Sequence, residues 1–134
     1  MSHSIYISGL LKDRFPKVYS DLLSAFKAVG VQGLELSNTR DIWCRDYMPI
    51  CSANLDWVQF EFDPKYLKEK KYLSLKTDPI YVLKELDLEH RRSSIKLEGG
   101  NFVCYGTHGV MTERVFEENP TFSKSQLIAK IQEE

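Results

Sequence analysis

The apolar positions along the chain change period several times, and each change marks a predicted element. Ile5 to Ile7 opens as a short strand, and Gly9 to Arg14 reads as a connector. Val18, Leu22, Phe26 and Val29 recur at helical spacing, which predicts a helix from Pro16 to Ala28 with that stripe buried. Pro16 suits a first helical turn, and Gly30 stands where a left-handed C-terminal cap belongs. Val31 to Leu36 reads as the next strand. Ile42 to Cys51 reads as extended, interrupted by Pro49. From Trp57 to Phe62 the period is two, with Val58, Phe60 and Phe62 facing one side of a half-buried strand.

Asp63 to Lys76 has no clear period and is rich in lysine and tyrosine. Asp78-Pro79 then predicts a capped helix start, with Ile80, Leu83 and Leu86 as its apolar face. Ser94 to Leu97 reads as a strand ending at Glu98-Gly99-Gly100. Asn101 to Tyr105 and Val110 to Glu113 are expected to pair across Gly106-Thr107-His108-Gly109. Ser123 and Gln126 have capping-box spacing ahead of a last helix carrying Leu127, Ile128 and Ile131. The order strand, helix, strands, helix, strands, helix indicates an α/β fold in a single domain, residues 1–134.

Composition narrows the class. Hydrophobic residues are 43% and charged residues 28% of 134 residues, ordinary for a globular domain. A formal net charge of -1 argues against a nucleic-acid partner. The basic run from Lys65 to Lys71 reads as a solvated, mobile loop. The apolar N-terminal stretch is too short and polar for a leader or a membrane span, so a cytoplasmic protein is expected, with no membrane partner. The cysteines, Cys44, Cys51 and Cys104, lack a paired motif and are expected to be reduced. Together with His108 they match no metal-ligand spacing, so no metal site is expected.

Three segments could carry chemistry. In Thr39-Arg40-Asp41-Ile42-Trp43-Cys44-Arg45-Asp46-Tyr47-Met48-Pro49, ionic side chains surround a tryptophan of the kind usually buried. If extended, Cys44 and Asp46 share one face and Trp43 and Arg45 the other. A carboxylate beside an aromatic wall binds a flat cation through paired, charge-assisted hydrogen bonds; Arg45 could equally form a structural ion pair. In Leu97-Glu98-Gly99-Gly100-Asn101-Phe102, two glycines allow close backbone approach, and the acid before them can reach a site at a sheet end. It could also be a plain tight turn. Met111 to Pro120 reads as a strand leading into a loop, with Glu113 and Arg114 as an ion pair.

Taken together, TRDIWCRDYMPI, KLEGGNFV and MTERVFEEN resemble the N-terminal signatures of the agmatine deiminase family and its bacterial-type peptidylarginine deiminase relatives, in the same order and at similar spacing. The resemblance runs from about Ile5 to Pro120. It implies a partial pentein (α/β-propeller) fold, roughly the first two strand–strand–helix–strand modules of a five-fold fan around a polar funnel. It also implies hydrolysis of a guanidinium C–N bond without metal or other cofactor. In that chemistry a cysteine thiolate attacks the guanidinium carbon, ammonia leaves, and water cleaves the thiouronium. Asp46 matches the carboxylate that clamps the guanidinium nitrogens. Glu98 matches the acid that orients the catalytic histidine. Trp43 and Asn101 are the further substrate-binding candidates, and Tyr47 could add packing.

The resemblance also defines what is missing. The family's H-x-D histidine and late nucleophilic cysteine have no counterpart among His3, His90, His108, Cys44, Cys51 and Cys104. Cys44 falls at a variable place in the motif and reads as a buried small hydrophobe. The chain is therefore expected to be an incomplete N-terminal part of a deiminase, inactive by itself. The alternative is a non-catalytic guanidinium-binding module or subunit. Uncovered module faces are expected to drive homo-oligomerisation.

Overall fold

The computed structural model describes residues 4–134; His3 lies outside them. Strand β1 (Ser4–Ser8) pairs in parallel with β2 (Gln32–Leu36), Ser4 opposite Gln32 and Ser8 opposite Leu36. Parallel pairing demands a crossover, and it is made by α1 (Leu10–Arg14) and α2 (Pro16–Ala28). The expected connector thus contains a short helix. α2 ends as anticipated at Gly30, φ 70°. There Val31 N–H donates to the Phe26 carbonyl at 2.9 Å and Gly30 N–H to that of Lys27 at 3.2 Å, the paired bonds of a Schellman cap. Its predicted stripe needs correction, because Val18 and Val29 are exposed while Leu22, Leu23 and Phe26 are half-buried. A sheet of two strands is a narrow platform. Leu23 and Phe26 fill the space above Gly33, where an added Cβ would stand 2.7 Å from Leu23 Cδ2.

The segment expected to be extended from Ile42 to Cys51 instead winds into α3 (Cys44–Tyr47), leaving only β3 (Ile50–Cys51) as strand. β3 runs antiparallel to β4 (Trp57–Glu61). After α4 (Pro79–Leu86), capped by the Asp78 carboxylate accepting from Ile80 N–H, β5 (Arg91–Lys96) returns parallel to β4. β5 starts earlier than predicted. β4 buries Val58 and Phe60 on the core side. Gln59, on the other side, is buried too, because its amide donates to the carbonyls of Tyr47 at 3.0 Å and Phe60 at 2.8 Å.

The hairpin β6 (Phe102–Tyr105) and β7 (His108–Met111) closes across Gly106-Thr107, tighter than the four-residue turn expected, with Gly106 at φ 55°. His108 is consequently an exposed strand residue. The stretch after it forms α5 (Arg114–Glu118) rather than a strand and loop. The Asn119 side chain explains this. It donates to the carbonyls of Val115 and Lys96, both at 2.8 Å, and accepts from Lys96 N–H at 3.0 Å, closing the helix and the end of β5 together. α6 (Lys124–Glu133) opens with the anticipated Ser123–Gln126 capping box.

The main core joins Ile50, Val58, Phe60, Ile95 and Leu97 to Val115 and Leu127. A fully buried leucine such as Leu127 contributes roughly 1.5–3 kcal/mol. A second cluster of Tyr47, Phe62 and Leu67 lies under the residues discussed next. Among the described residues no helix is long and apolar enough to cross a membrane.

Candidate functional site

Tyr47 decides the shape of the tryptophan-bearing motif. Its ring is almost fully buried against Phe62, and its hydroxyl donates to the Asp41 carbonyl at 2.8 Å. Asp46 N–H donates to the Trp43 carbonyl at 3.0 Å and Met48 N–H to that of Cys44 at 3.0 Å. Successive side chains in such a turn rotate by about 100° rather than alternating across a strand. The expected sharing of a face by Cys44 and Asp46 is thereby overturned. Trp43 and Asp46 line one cleft together. Cys44 packs against the Tyr47 cluster, its thiol 3.7 Å from the Tyr6 carbonyl oxygen. Burial pushes that thiol's pKa up, the opposite of what activates a nucleophile. Arg45 takes a third direction and donates to the Phe102 carbonyl at 2.8 Å, tying α3 to the hairpin base.

The two glycines after Glu98 exist because α3 lies directly on them. A Cβ at Gly99 would overlap the Arg45 carbonyl oxygen, and one at Gly100 would overlap Asp46 Oδ1. The Gly100 backbone N–H lies close to the Asp46 carboxylate. Burial raises the pKa of Asp46, and this N–H opposes the rise without cancelling it.

Glu98 approaches the same place from the end of β5. It is buried, with Tyr66 Oη donating to Oε2 at 3.2 Å and Asn101 Nδ2 to Oε1 at 3.5 Å. Arg114 Nε stands 3.5 Å from Oε1 and 3.2 Å from Oε1 of buried Glu118. Burial pushes the Glu98 carboxyl pKa up and Glu118 adds to this, against Arg114 and Tyr66. The Tyr66 phenol is raised as well, by burial first and then by Glu98 and Asp46. Tyr66 thus has a carboxylate on either side, Asp46 along the cleft and Glu98 behind it.

The cleft measures roughly 300 Å³ and is lined by Asp41, Trp43, Asp46, Tyr66, Leu67, Tyr72 and Leu75. Among the described residues, no basic side chain lines it. Trp43 is 66% exposed at its mouth, contrary to the expectation of burial. Asn101 is not among the lining residues; it braces Glu98 and accepts from Thr112 Oγ1 at 2.9 Å. The anticipated Glu113–Arg114 pair is replaced by Arg114 with Glu98 and Glu118, and by Lys124 with Glu113 at 3.0 Å.

Sequence reading misses Tyr66 and Tyr72 and gives Arg114 a different partner. Tyr66 lies in the Lys65–Lys71 run expected to be a mobile loop, and Tyr72 in the irregular Asp63–Lys76 stretch around it. That stretch buries Leu67 and forms two 3-10 turns, Lys65–Lys68 and Leu73–Leu75, along the cleft. Aromatic residues interleaved among the lysines were the available signal. Cys51, Cys104 and His108 line a separate cavity of about 490 Å³ beside the hairpin. Among the described residues, no group of histidine, cysteine or acidic side chains is arranged to hold a metal ion.

An acidic, aromatic-walled cleft of this kind suits a flat cation by charge and by ring-face attraction. The family model for Porphyromonas-type peptidyl-arginine deiminase matches residues 15–134. Solved structures similar to the chain include a C. jejuni agmatine deiminase (TM-score 0.61, 17% identity) and a cysteine-to-serine variant of a C. jejuni agmatine deiminase with substrate bound (TM-score 0.67, 17% identity). In each case 98% of this chain is covered and 50% of the other. A structure described as a putative peptidyl-arginine deiminase has a TM-score of 0.65 at 15% identity, covering 98% of this chain and 51% of that one. No curated protein sequence resembles the chain closely enough to count as a match. The chain spans about half the length of these solved relatives and shares the fold of that half. With the family model matching nearly its whole length, the chain belongs to the Porphyromonas-type peptidyl-arginine deiminase family.

Proposed function

We propose that the Asp46 cleft is the guanidinium-gripping part of a deiminase site. The full reaction is hydrolysis of the guanidinium C–N bond of agmatine, arginine or peptidyl-arginine to a carbamoyl product and ammonia. The agmatine version would feed putrescine synthesis. The observation that carries the reading is the convergence of Asp46 and Glu98 on Tyr66, with Asp46 lining a cleft that holds no basic side chain among the described residues. A permanently charged, planar guanidinium matches a fixed carboxylate between aromatic walls. The fold is read as part of a pentein fan, which the likeness to half of agmatine deiminase structures supports.

Among the described residues, neither a thiol nor an imidazole lines the cleft. The 134-residue chain is therefore expected to bind and not to turn over. A non-catalytic guanidinium-binding module is the second reading this same observation favours. Titration calorimetry with agmatine, native against Asp46→Asn, tests the shared claim. Binding that disappears in the variant supports it, and no heat from either protein removes it. An ammonia-release assay on the purified chain then tests the absence of turnover that both readings expect. Release lost in Cys44→Ser would show that the thiol assignment is wrong.

Homo-oligomerisation is part of the proposal. Ile5, Val103, Tyr105 and Val110 are exposed on short sheets with open edges, which supports association between copies. A concentration-independent monomer mass by light scattering overturns it.

A further inference from the structure

An internal guanidinium sits beside the Tyr66 wall of the cleft, next to two buried acids. Arg114 opens α5, its Nε 3.5 Å from Glu98 and 3.2 Å from Glu118, both buried acids. Its guanidinium carbon stands 5.5 Å from the centre of the Tyr66 ring. The Tyr66 hydroxyl in turn holds the other Glu98 oxygen at 3.2 Å. Both oxygens of Glu98 are thus engaged by one connected unit. Lys65 Nζ, one residue before Tyr66, donates to the Glu117 carbonyl at 3.2 Å and draws the same turn onto α5.

We propose that Arg114 is a positioning residue of the site: a resident guanidinium that pairs with Glu98 and Glu118, holds the Tyr66 ring in the cleft wall, and leaves Asp46 as the carboxylate open to an incoming cation. The proposal rests on the guanidinium-binding reading of the cleft. The physical reason is competition. Two buried acids without a cation are costly, and they would draw a substrate guanidinium away from Asp46. Supplying that cation from the chain decides which carboxylate the ligand meets. The groups facing Glu98 are Arg114 and Glu118 from α5, Tyr66 from the preceding 3-10 turn, Asp46 from α3, and uncharged Asn101 from its own turn.

Carbon NMR of the Glu98 carboxyl group tests this. In Arg114→Ala the midpoint of its titration should rise by about one pH unit, and millimolar guanidinium should return it toward the native value. Arg114→Lys keeps the charge but loses the planar fork, so it should show a smaller rise that guanidinium does not reverse. It also serves if the alanine variant fails to fold. The reversal should persist in an Asp46→Asn background, which places the added cation at Glu98. An unmoved midpoint in either variant, or a reversal abolished by Asp46→Asn, overturns the assignment. Because the readout is Glu98 itself, failure of agmatine to bind the native chain would count against the cleft's proposed function and not against Arg114's hold on this acid.

Discussion

Two acid clusters bound the lysine- and tyrosine-rich segment, and they are built in opposite ways. At one end Asp63 faces Lys68 at 2.8 Å, Lys76 at 2.8 Å and Lys96 at 2.9 Å. Burial alone would raise its pKa, but the three ammonium groups hold the carboxyl well below the usual carboxylate range. At the other side of the segment, Asp46 and Glu98 are raised by burial, and their cationic or hydrogen-bonding partners do not make up the difference. The Asp63 cluster is closed, with cations in excess of acids. The cleft is open and short of positive charge. A closed cluster contributes stability, whereas a deficit is what an incoming cation relieves. The 3-10 turn carrying Tyr66 links the two, so the lysine knot holds the cleft wall in place.

Gly99→Ala should have the largest effect, because its Cβ meets the Arg45 backbone and neither side can give way. A loss of roughly 3 kcal/mol or more is expected in urea denaturation. Gly100→Ala meets only the Asp46 side chain, which can turn aside. It should therefore weaken agmatine binding far more than folding. Asp46→Asn should cost about 1.5–3 kcal/mol of binding by calorimetry, the worth of a charge-assisted contact, with an almost unchanged melting temperature.

Asp63→Asn reverses the pattern and should leave agmatine affinity close to native. It should lose about 1–2 kcal/mol of stability, discounted because the lysines are partly exposed. The pH dependence carries opposite signs at the two places. Asp63, with a lowered pKa, stabilises the fold above the ordinary carboxylate value of about 4 and loses that contribution as pH falls below it. Asp46 and Glu98, with raised values, favour the fold when protonated and lose that contribution as pH rises through their folded-state values. Acid unfolding of Asp63→Asn should accordingly be shallower than native, and a profile identical to native would remove Asp63 from the account. The smallest effect is expected from Tyr66→Phe, about 0.5–1.5 kcal/mol of stability by thermal melting for one lost hydrogen bond.

Local chemistry made much of the fold legible. The caps at Gly30, Asp78 and Ser123 depend on residues within one turn of each other, and the structure places all three as read. The alternation from Val58 to Phe62 located a central strand for the same reason. The failures cluster where a distant partner decides. The segment around α3 reads as extended in sequence, but Tyr47 is pulled into a cluster with Phe62 and Leu67. α5 was read as strand and loop because Asn119's three bonds to Val115 and Lys96 have no local signature. The stripe of α2 was drawn too wide because its width depends on how many strands lie beneath it.

Motif spacing and capping act over a few residues, so the family resemblance, the capped helices, the central strand and the two candidate acids were readable along the chain. That Asp46 shares its cleft with Trp43 and not Cys44, that Tyr66 belongs to the wall, and that Arg114 pairs with Glu98 emerge only from packing. These facts depend on which side chains meet across long sequence separations, and burial and charge pairing settle that only when the whole chain is packed.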